Sequence, residues 1–276
     1  MLQKEDNEEF LKKNVTPNIV FIIPFRDREE EYFLFIKKMD DLLVSLDKST
    51  YQYLFVHQCD KREFCRGGLK NIGFLVVKNT YPDSYLDITL VFNDIDTYPS
   101  EIGLITDYST KQGIVKHFYG YSFALGGIVS ITSRDFEAIH GFPNYWGWGF
   151  EDNMLNRRVL FANLVIDRKQ FYKIDDQRII QLNTSPLRTV NRIEFDRFIQ
   201  SNKEGIHSIN DLSYTLQYMR PENEVNNIIF ANVSNFKTEY ECNTRFNSSY
   251  DTRSTSPPFQ VGYSAKRRAT MNMVQY

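Results

Sequence analysis

The chain has 276 residues with 33 lysines and arginines against 35 aspartates and glutamates, a balance that excludes nucleic acid or an anionic membrane as the main partner. Its length suffices for one substantial core with tails. Three cysteines (Cys59, Cys65 and Cys242) with no C-x-x-C pair argue against a thiolate metal site and against a disulfide scaffold, and fit a reducing compartment.

In chain order, residues 1–17 form a charged segment without the apolar stretch of a secretory signal. No apolar run approaches the ~20 residues that span a bilayer, so the expectation is a cytoplasmic protein. NIVFIIP, Asn18 to Pro24, is a continuous apolar run of the kind buried on both faces of a sheet. Tyr32, Phe35, Ile36, Met39, Leu43 and Leu46 follow at helical spacing, with Asp27 as the expected N-cap. YQYLFVH, Tyr51 to His57, is a second strand. Leu69, Ile72, Leu75 and Val76 mark a second helix, and LDITLVF, Leu86 to Phe92, a third strand. That alternation predicts an α/β fold with a mainly parallel sheet, whose ligands collect at the carboxyl ends of the strands.

Beyond Pro99, strands are expected over Gly113 to Phe118 and Gly127 to Thr132. A short helix capped by Ser133 should run to Ile139, and another should begin near Glu151 or Asp152 and end near Ala162. From Phe236 the composition turns to Ser, Thr, Asn and Arg and ends on a basic Lys266-Arg267-Arg268 cluster. The expected organisation is therefore a folded domain over 18–235 and a weakly ordered tail over 236–276.

Three stretches carry chemistry. PFRDR, Pro24 to Arg28, ends the first strand. Arg26 and Arg28, joined by Arg66 after the second strand, suit phosphate oxygens; the same arginines can equally pair with the acidic run Glu29 to Glu31. FNDIDTYP, Phe92 to Pro99, points Asp94 and Asp96 to one side of an extended segment. The pair suits Mg²⁺ or Mn²⁺ carrying a diphosphate, and equally a solvated turn after a strand. YWGWGFEDN, Tyr145 to Asn153, sets both tryptophans among glycines and ends on Glu151, Asp152 and Asn153. Acids at a helix start are favoured by its dipole, which leaves the aromatic–glycine run unexplained. An aromatic ring on a glycine-hinged loop can stack on a sugar face, and a carboxylate beside a sugar hydroxyl can take its proton.

Taken together and in this order, IIPFRDR, FCRGGLKNIGF, LVFNDIDTYP, ALGGIVSITSRDFEAIHGFPNYWGWGFED and NRRVL resemble the β-1,4-galactosyltransferase family and the related chondroitin-type N-acetylgalactosaminyltransferase domains, over about Asn18 to Phe171. The resemblance implies a GT-A fold (an α/β, Rossmann-like nucleotide-sugar fold), a UDP-sugar donor, and inverting transfer to an acceptor hydroxyl on a glycan or glycoconjugate. It implies that Arg26, Arg28, Phe64 and Arg66 hold the uridine diphosphate and that Asp94 faces the ribose or donor sugar. Asp96 would ligate a divalent metal, usually manganese, and Lys116 would meet a phosphate. Gly126 and Gly127 would line the donor sugar, Trp148 would form a mobile lid, Glu151 would lie near the donor, and Asp152 would be the general base.

Several positions depart from the family pattern. Asn153 stands where a further aspartate helps to hold the acceptor sugar, so a different acceptor is expected. Ala124 and Leu125 replace the neighbourhood of a tyrosine that crowds the donor's 2-substituent, which admits GalNAc beside Gal. Ile179 and Leu182 replace the metal-ligating Met or His and His, with Gln177 or Asn183 as the remaining donors nearby. Lumenal members carry a membrane anchor and cysteine pairs not seen here, which points to a microbial or viral cytosolic enzyme. The alternative is a sugar- or nucleotide-binding protein that has lost its metal site and its activity.

Overall fold

In the computed structural model of the chain, the described residues are 16–182, 187–191, 204–219, 227–240 and 247–251. In order the elements are β1 (Ile19–Phe25), α1 (Glu29–Leu42), β2 (Tyr51–Gln58), α2 (Arg66–Thr80), a 3-10 turn (Tyr85–Asp87), β3 (Thr89–Asn93), β4 (Thr97–Pro99), β5 (Ile114–Gly120), β6 (Ile128–Thr132), α3 (Ser133–Ala138), α4 (Glu151–Phe161), β7 (Val165–Asp167), β8 (Tyr172–Lys173), β9 (Ile179–Gln181), β10 (Leu187–Asn191), a second 3-10 turn (Ile206–Ser208), β11 (Asn210–Tyr218), β12 (Ile228–Lys237) and β13 (Asn247–Asp251).

β1 is apolar and buried at every position because it lies at the centre of the sheet, parallel to β2 on one side and to β3 on the other. The full order is β11-β12-β2-β1-β3-β6-β5-β7, with β8 beside β5. β12 adds to β2 in parallel, whereas β6 is antiparallel to both β3 and β5. The expected mainly parallel α/β sheet is thus present with an antiparallel insertion. One face of β1 packs Val20 and Ile22 under α2; the other packs Phe21 and Ile23 against α1, where Phe35 and Met39 are buried. Gly73 lets α2 approach closely: a Cβ there would sit 2.4 Å from Ile22 Cγ2. That contact fixes the height of Arg66, the first residue of α2, against the ends of the strands.

Local departures from the expected elements have local causes. Asp27 does not cap α1. It adopts a left-handed φ of 52°, and Arg28 takes the N-cap position without a side-chain bond. Thr132 rather than Ser133 caps α3, its Oγ1 accepting from the backbone N–H of Asp135 at 3.1 Å. The third strand starts at Thr89 because Tyr85–Asp87 turns instead. β12 crosses the boundary expected at 235/236, and Phe236 is fully buried. Residues 1–15, the basic cluster of the tail, Cys242 and Asn183 lie outside the described residues. Among the described residues, no helix is long and apolar enough to cross a membrane.

His117 on β5 is buried and ties the sheet to the loop before β6. Its Nε2 lies 3.0 Å from the carbonyl of Tyr119 and 3.2 Å from that of Gly126, while Arg168 Nε donates to Nδ1 at 3.2 Å. Two acceptors on one side and a donor on the other require the neutral, Nε2-protonated ring. Burial, then Arg168, pushes its pKa down to about 4. Above about pH 6.5 the ring is neutral folded or unfolded. Between about 6.5 and about 4 only the unfolded chain takes the proton, so stability falls on acidification. The expected loss from this residue is about 3 kcal/mol across that window. Chemical denaturation of wild type and H117Q at several pH values checks it: their difference in unfolding free energy should shrink as the pH falls, and a difference constant with pH would refute it.

Candidate active site

A cleft of about 860 Å³ opens at the carboxyl ends of β1, β2 and β3. Arg26, Arg28, Phe64, Arg66, Asp94, Asp96, Gly126, Gly127, Trp148, Glu151 and Asp152 all line it. These residues come from five separate stretches, brought together because parallel strands end on the same side of the sheet. Lys116 does not join them. Neighbouring side chains alternate across a strand; His117 points to the Gly126 loop, and Lys116 reaches Asp107, bonding its Oδ2 at 2.9 Å and its carbonyl at 3.1 Å.

Arg66 is the hub. Its Nε and Nη2 donate to the two oxygens of Asp94, each at 2.8 Å. Its Nη1 donates to Glu151 Oε1 at 2.9 Å and to Asp152 Oδ1 at 2.8 Å. Burial works against the guanidinium's charge, but Asp152, Asp94 and Glu151 together hold its pKa well above the ordinary arginine value. Glu151 is buried, and burial, then Asp152, raises its carboxyl against the pull of Arg66 and Lys70. Lys70, one turn along α2 from Arg66, brings a buried amine to 3.9 Å from Asp94 Oδ1 and 3.8 Å from Asp152 Oδ1.

Asp152 is locked to the glycine loop. Its backbone carbonyl accepts from Leu125 N–H at 3.0 Å, and a Cβ on Gly126 would lie 2.3 Å from its Oδ2. Gly127 has φ 71°, and a Cβ there would meet the Tyr119 carbonyl at 2.4 Å, so both positions require glycine.

Arg26 Nη1 donates to the Arg62 carbonyl at 2.7 Å, with its guanidinium 5.2 Å from the Phe64 ring centre. Arg28 does pair with the acidic run, through Glu31 Oε1 at 2.8 Å, while still lining the cleft. The two tryptophans divide their work. Trp146 is fully buried, stacked on Phe236 with centroids 5.2 Å apart, and its Nε1 donates to Thr238 Oγ1 and to the Tyr240 carbonyl. Trp148 is only half-buried at the cleft. Gly147 (φ 89°) carries the chain from one to the other, and Gly149 (φ 118°) and Phe150 (φ 71°) carry it on into α4, all in left-handed conformations.

The side chains around Asp96 do not fit a resident metal ion. Asp96 Oδ1 accepts from Thr97 Oγ1 at 3.0 Å, and the Asp96 carbonyl accepts from Leu182 N–H at 2.8 Å. The strand thus brought alongside presents Ile179 and Leu182 to the cleft, and neither has a lone pair to offer. Gln177 is exposed, its Nε2 donating to the Asp175 carbonyl at 3.1 Å. Among the described residues no group of three or more His, Cys, Asp and Glu side chains could hold a metal.

Three features escape sequence reading. Lys70 hides inside an ordinary helical run, His117 sits beside the lysine that looked functional, and Tyr119 reaches Gln181 (OH to Oε1 3.1 Å) across the cleft. A lysine at a core-facing helical position was the one available signal.

Residues 11–104 match the N-terminal region of glycosyl transferase group 7, and residues 114–182 match the family described as N-terminal domain of galactosyltransferase. Beta-1,4-galactosyltransferase 7 of Drosophila melanogaster is 30% identical over 165 residues, which is 56% of this chain and 48% of that protein. Xylosylprotein 4-beta-galactosyltransferase of Caenorhabditis elegans is 26% identical over 209 residues, 71% of this chain and 70% of that protein. Beta-1,4-galactosyltransferase 1 of Homo sapiens is 29% identical over 212 residues, 72% of this chain and 51% of that protein. The chain therefore spans about half the length of the Drosophila and human relatives. The catalytic domain of Drosophila beta-1,4-galactosyltransferase 7, solved with xylobiose, superposes with a TM-score of 0.61 at 21% identity, covering 79% of this chain and 93% of that one. A mutant of the same Drosophila enzyme, in complex with manganese, UDP-Gal and xylobiose, gives 0.58. Matched in sequence across both halves of the cleft and in architecture across its sheet, the chain belongs to the β-1,4-galactosyltransferase family and has the GT-A fold.

Proposed function

We propose that this chain is an inverting glycosyltransferase that moves a hexose or N-acetylhexosamine, Gal or GalNAc, from a UDP-sugar to an acceptor hydroxyl on a glycan. The observation that carries the reading is the Asp152 carboxylate, held through Oδ1 by Arg66 with its Oδ2 over the Gly126 Cα, in a cleft that also gathers Arg26, Arg28 and Trp148. The acceptor hydroxyl gives its proton to Asp152 as its oxygen bonds to the sugar's anomeric carbon. The bond from that carbon to the diphosphate oxygen breaks on the opposite face, and its electron pair leaves with UDP. Such transfers depend on alignment and on one well-placed base. Charge building on the diphosphate is met by Arg26 and Arg28, with Phe64 beside the nucleotide. Trp148 covers the sugars.

Manganese accompanies the donor in a solved relative. Here Asp96 is, among the described residues, the single side chain of the expected ligand set that retains a donor atom. Ala124 is small and lines the cleft, which leaves room for an N-acetyl group on the donor. Asn153 beside the base supports an acceptor different from that of relatives with an acid there. The alternative, a binding protein without catalysis, draws on Ile179 and Leu182 at the expected ligand positions; Asp152 in the cleft, paired with Arg66, supports the enzyme.

D152N is expected to lower kcat by at least about a hundredfold, the scale of a general base, with donor KM little changed. Full transfer by the variant would refute the assignment. UDP-Gal or UDP-GalNAc should raise Tm through binding to the folded state, whereas Mn²⁺ alone should leave it unchanged. A Tm rise with Mn²⁺ alone would reveal a resident site at Asp96, and no rise with any UDP-sugar would refute the donor reading.

A further inference from the structure

Lys70 is a fully desolvated amine to which the proposed reaction gives no task. It faces the rings of Phe142 at 4.8 Å and Phe92 at 5.9 Å, within the apolar layer beneath the cleft. A helix position in that layer is ordinarily filled by a leucine or isoleucine, and burying an ammonium there is costly unless something nearby repays it. The charged groups facing it are Arg66 on its own helix, Asp94 after β3, and Glu151 and Asp152 at the start of α4. Its distances of 3.9 and 3.8 Å to Asp94 Oδ1 and Asp152 Oδ1 are those of through-space attraction, longer than hydrogen bonds.

The balance of charge around Arg66 depends on this amine. Three carboxylates surround Arg66, and one guanidinium balances one of them. Glu151 is driven toward its neutral form by burial and by Asp152. Lys70 is the second cation beside Asp94 and Asp152, its amine 3.9 Å and 3.8 Å from their Oδ1 atoms. Asp94 already takes two of the guanidinium's hydrogen bonds, so Arg66 alone is a shared and incomplete counter-ion for Asp152.

We propose that Lys70 is a positioning residue for transfer: its buried ammonium is the second counter-ion of Asp152, keeping that carboxylate ionised and turned with Oδ2 toward Gly126, where an acceptor proton can be taken. The inference rests on Asp152 being the base. Burial, then Arg66, lowers the Lys70 pKa, and Asp152, Asp94 and Glu151 oppose that fall. The carboxylates thus help to keep the buried amine charged.

The test is the pH dependence of kcat in wild type, K70M and K70R, with D152N as reference. Removing a cation within about 4 Å of a carboxylate raises that carboxylate's pKa by about 1 unit or more. The acid limb of K70M should therefore move up by about one pH unit, a roughly tenfold loss of kcat at pH values on that limb. Donor KM should change far less, and K70R, which keeps the charge, should return the limb toward wild type. Should K70M fail to fold, K70Q carries a neutral amide in its place and the same upward shift is expected. A folded K70M or K70Q whose acid limb coincides with wild type, while D152N is inactive, overturns the Lys70 role and leaves the base standing. An active D152N overturns the base and this inference with it.

Discussion

Everything at the cleft depends on one guanidinium meeting three carboxylates. Arg66 reaches Asp94, Glu151 and Asp152 from three different segments, and without it those acids would repel one another at close range. Its planar fork takes both oxygens of Asp94 and still has a nitrogen for α4, which a lysine could not do. The position of the fork is set in turn by backbone packing. Gly73 draws α2 onto Ile22 of the central strand, and Arg66 is carried by the first turn of that helix. A core contact therefore fixes the electrostatics of the site.

The same economy governs the glycine loop. Gly126 and Gly127 serve as much to let Asp152 and Tyr119 come close as to leave room for a ligand. His117 holds the Gly126 carbonyl from behind and must stay neutral to do so. Residues of β5, the loop before β6 and α4 thus form one wall, with the Asp152 carboxylate on it held between Arg66 and the Gly126 backbone. Preorganisation of this kind suits the proposed transfer, in which the acceptor's proton and the leaving group depart on opposite sides of the reacting centre.

Much of this was legible in the residues. β1 declared itself through seven consecutive apolar positions, and α4 through the acids at its start. The aromatic–glycine run and the arginines after β1 marked the cleft because their chemistry is unusual at strand ends. Other parts were silent for physical reasons. Lys116 looked equivalent to the cleft arginines, but the side of β5 it occupies is set by strand register, which a single sequence does not display. Lys70 sits at a core-facing position of a helical run, but its partners come from distant segments that only the fold brings beside it. Trp146 and Trp148 are chemically alike, and only the fold separates an anchor from a cleft-facing ring. Polar composition hides the true reach of β12, because it masks Phe236, whose partner Trp146 lies 90 residues back.

The Trp146 anchor also has a consequence for how the molecule is made. Its indole N–H is received by Thr238 and Tyr240, and its ring by Phe236, all supplied by the last strand of the main sheet and the residues that follow it. β12 is also the neighbour that completes β2. During synthesis the loop that carries Trp148 therefore leaves the ribosome long before the residues that moor it. The cleft cannot take its final shape until translation has passed Tyr240, so a nascent chain halted earlier would hold Asp152 and the arginines but not a settled Trp148 loop.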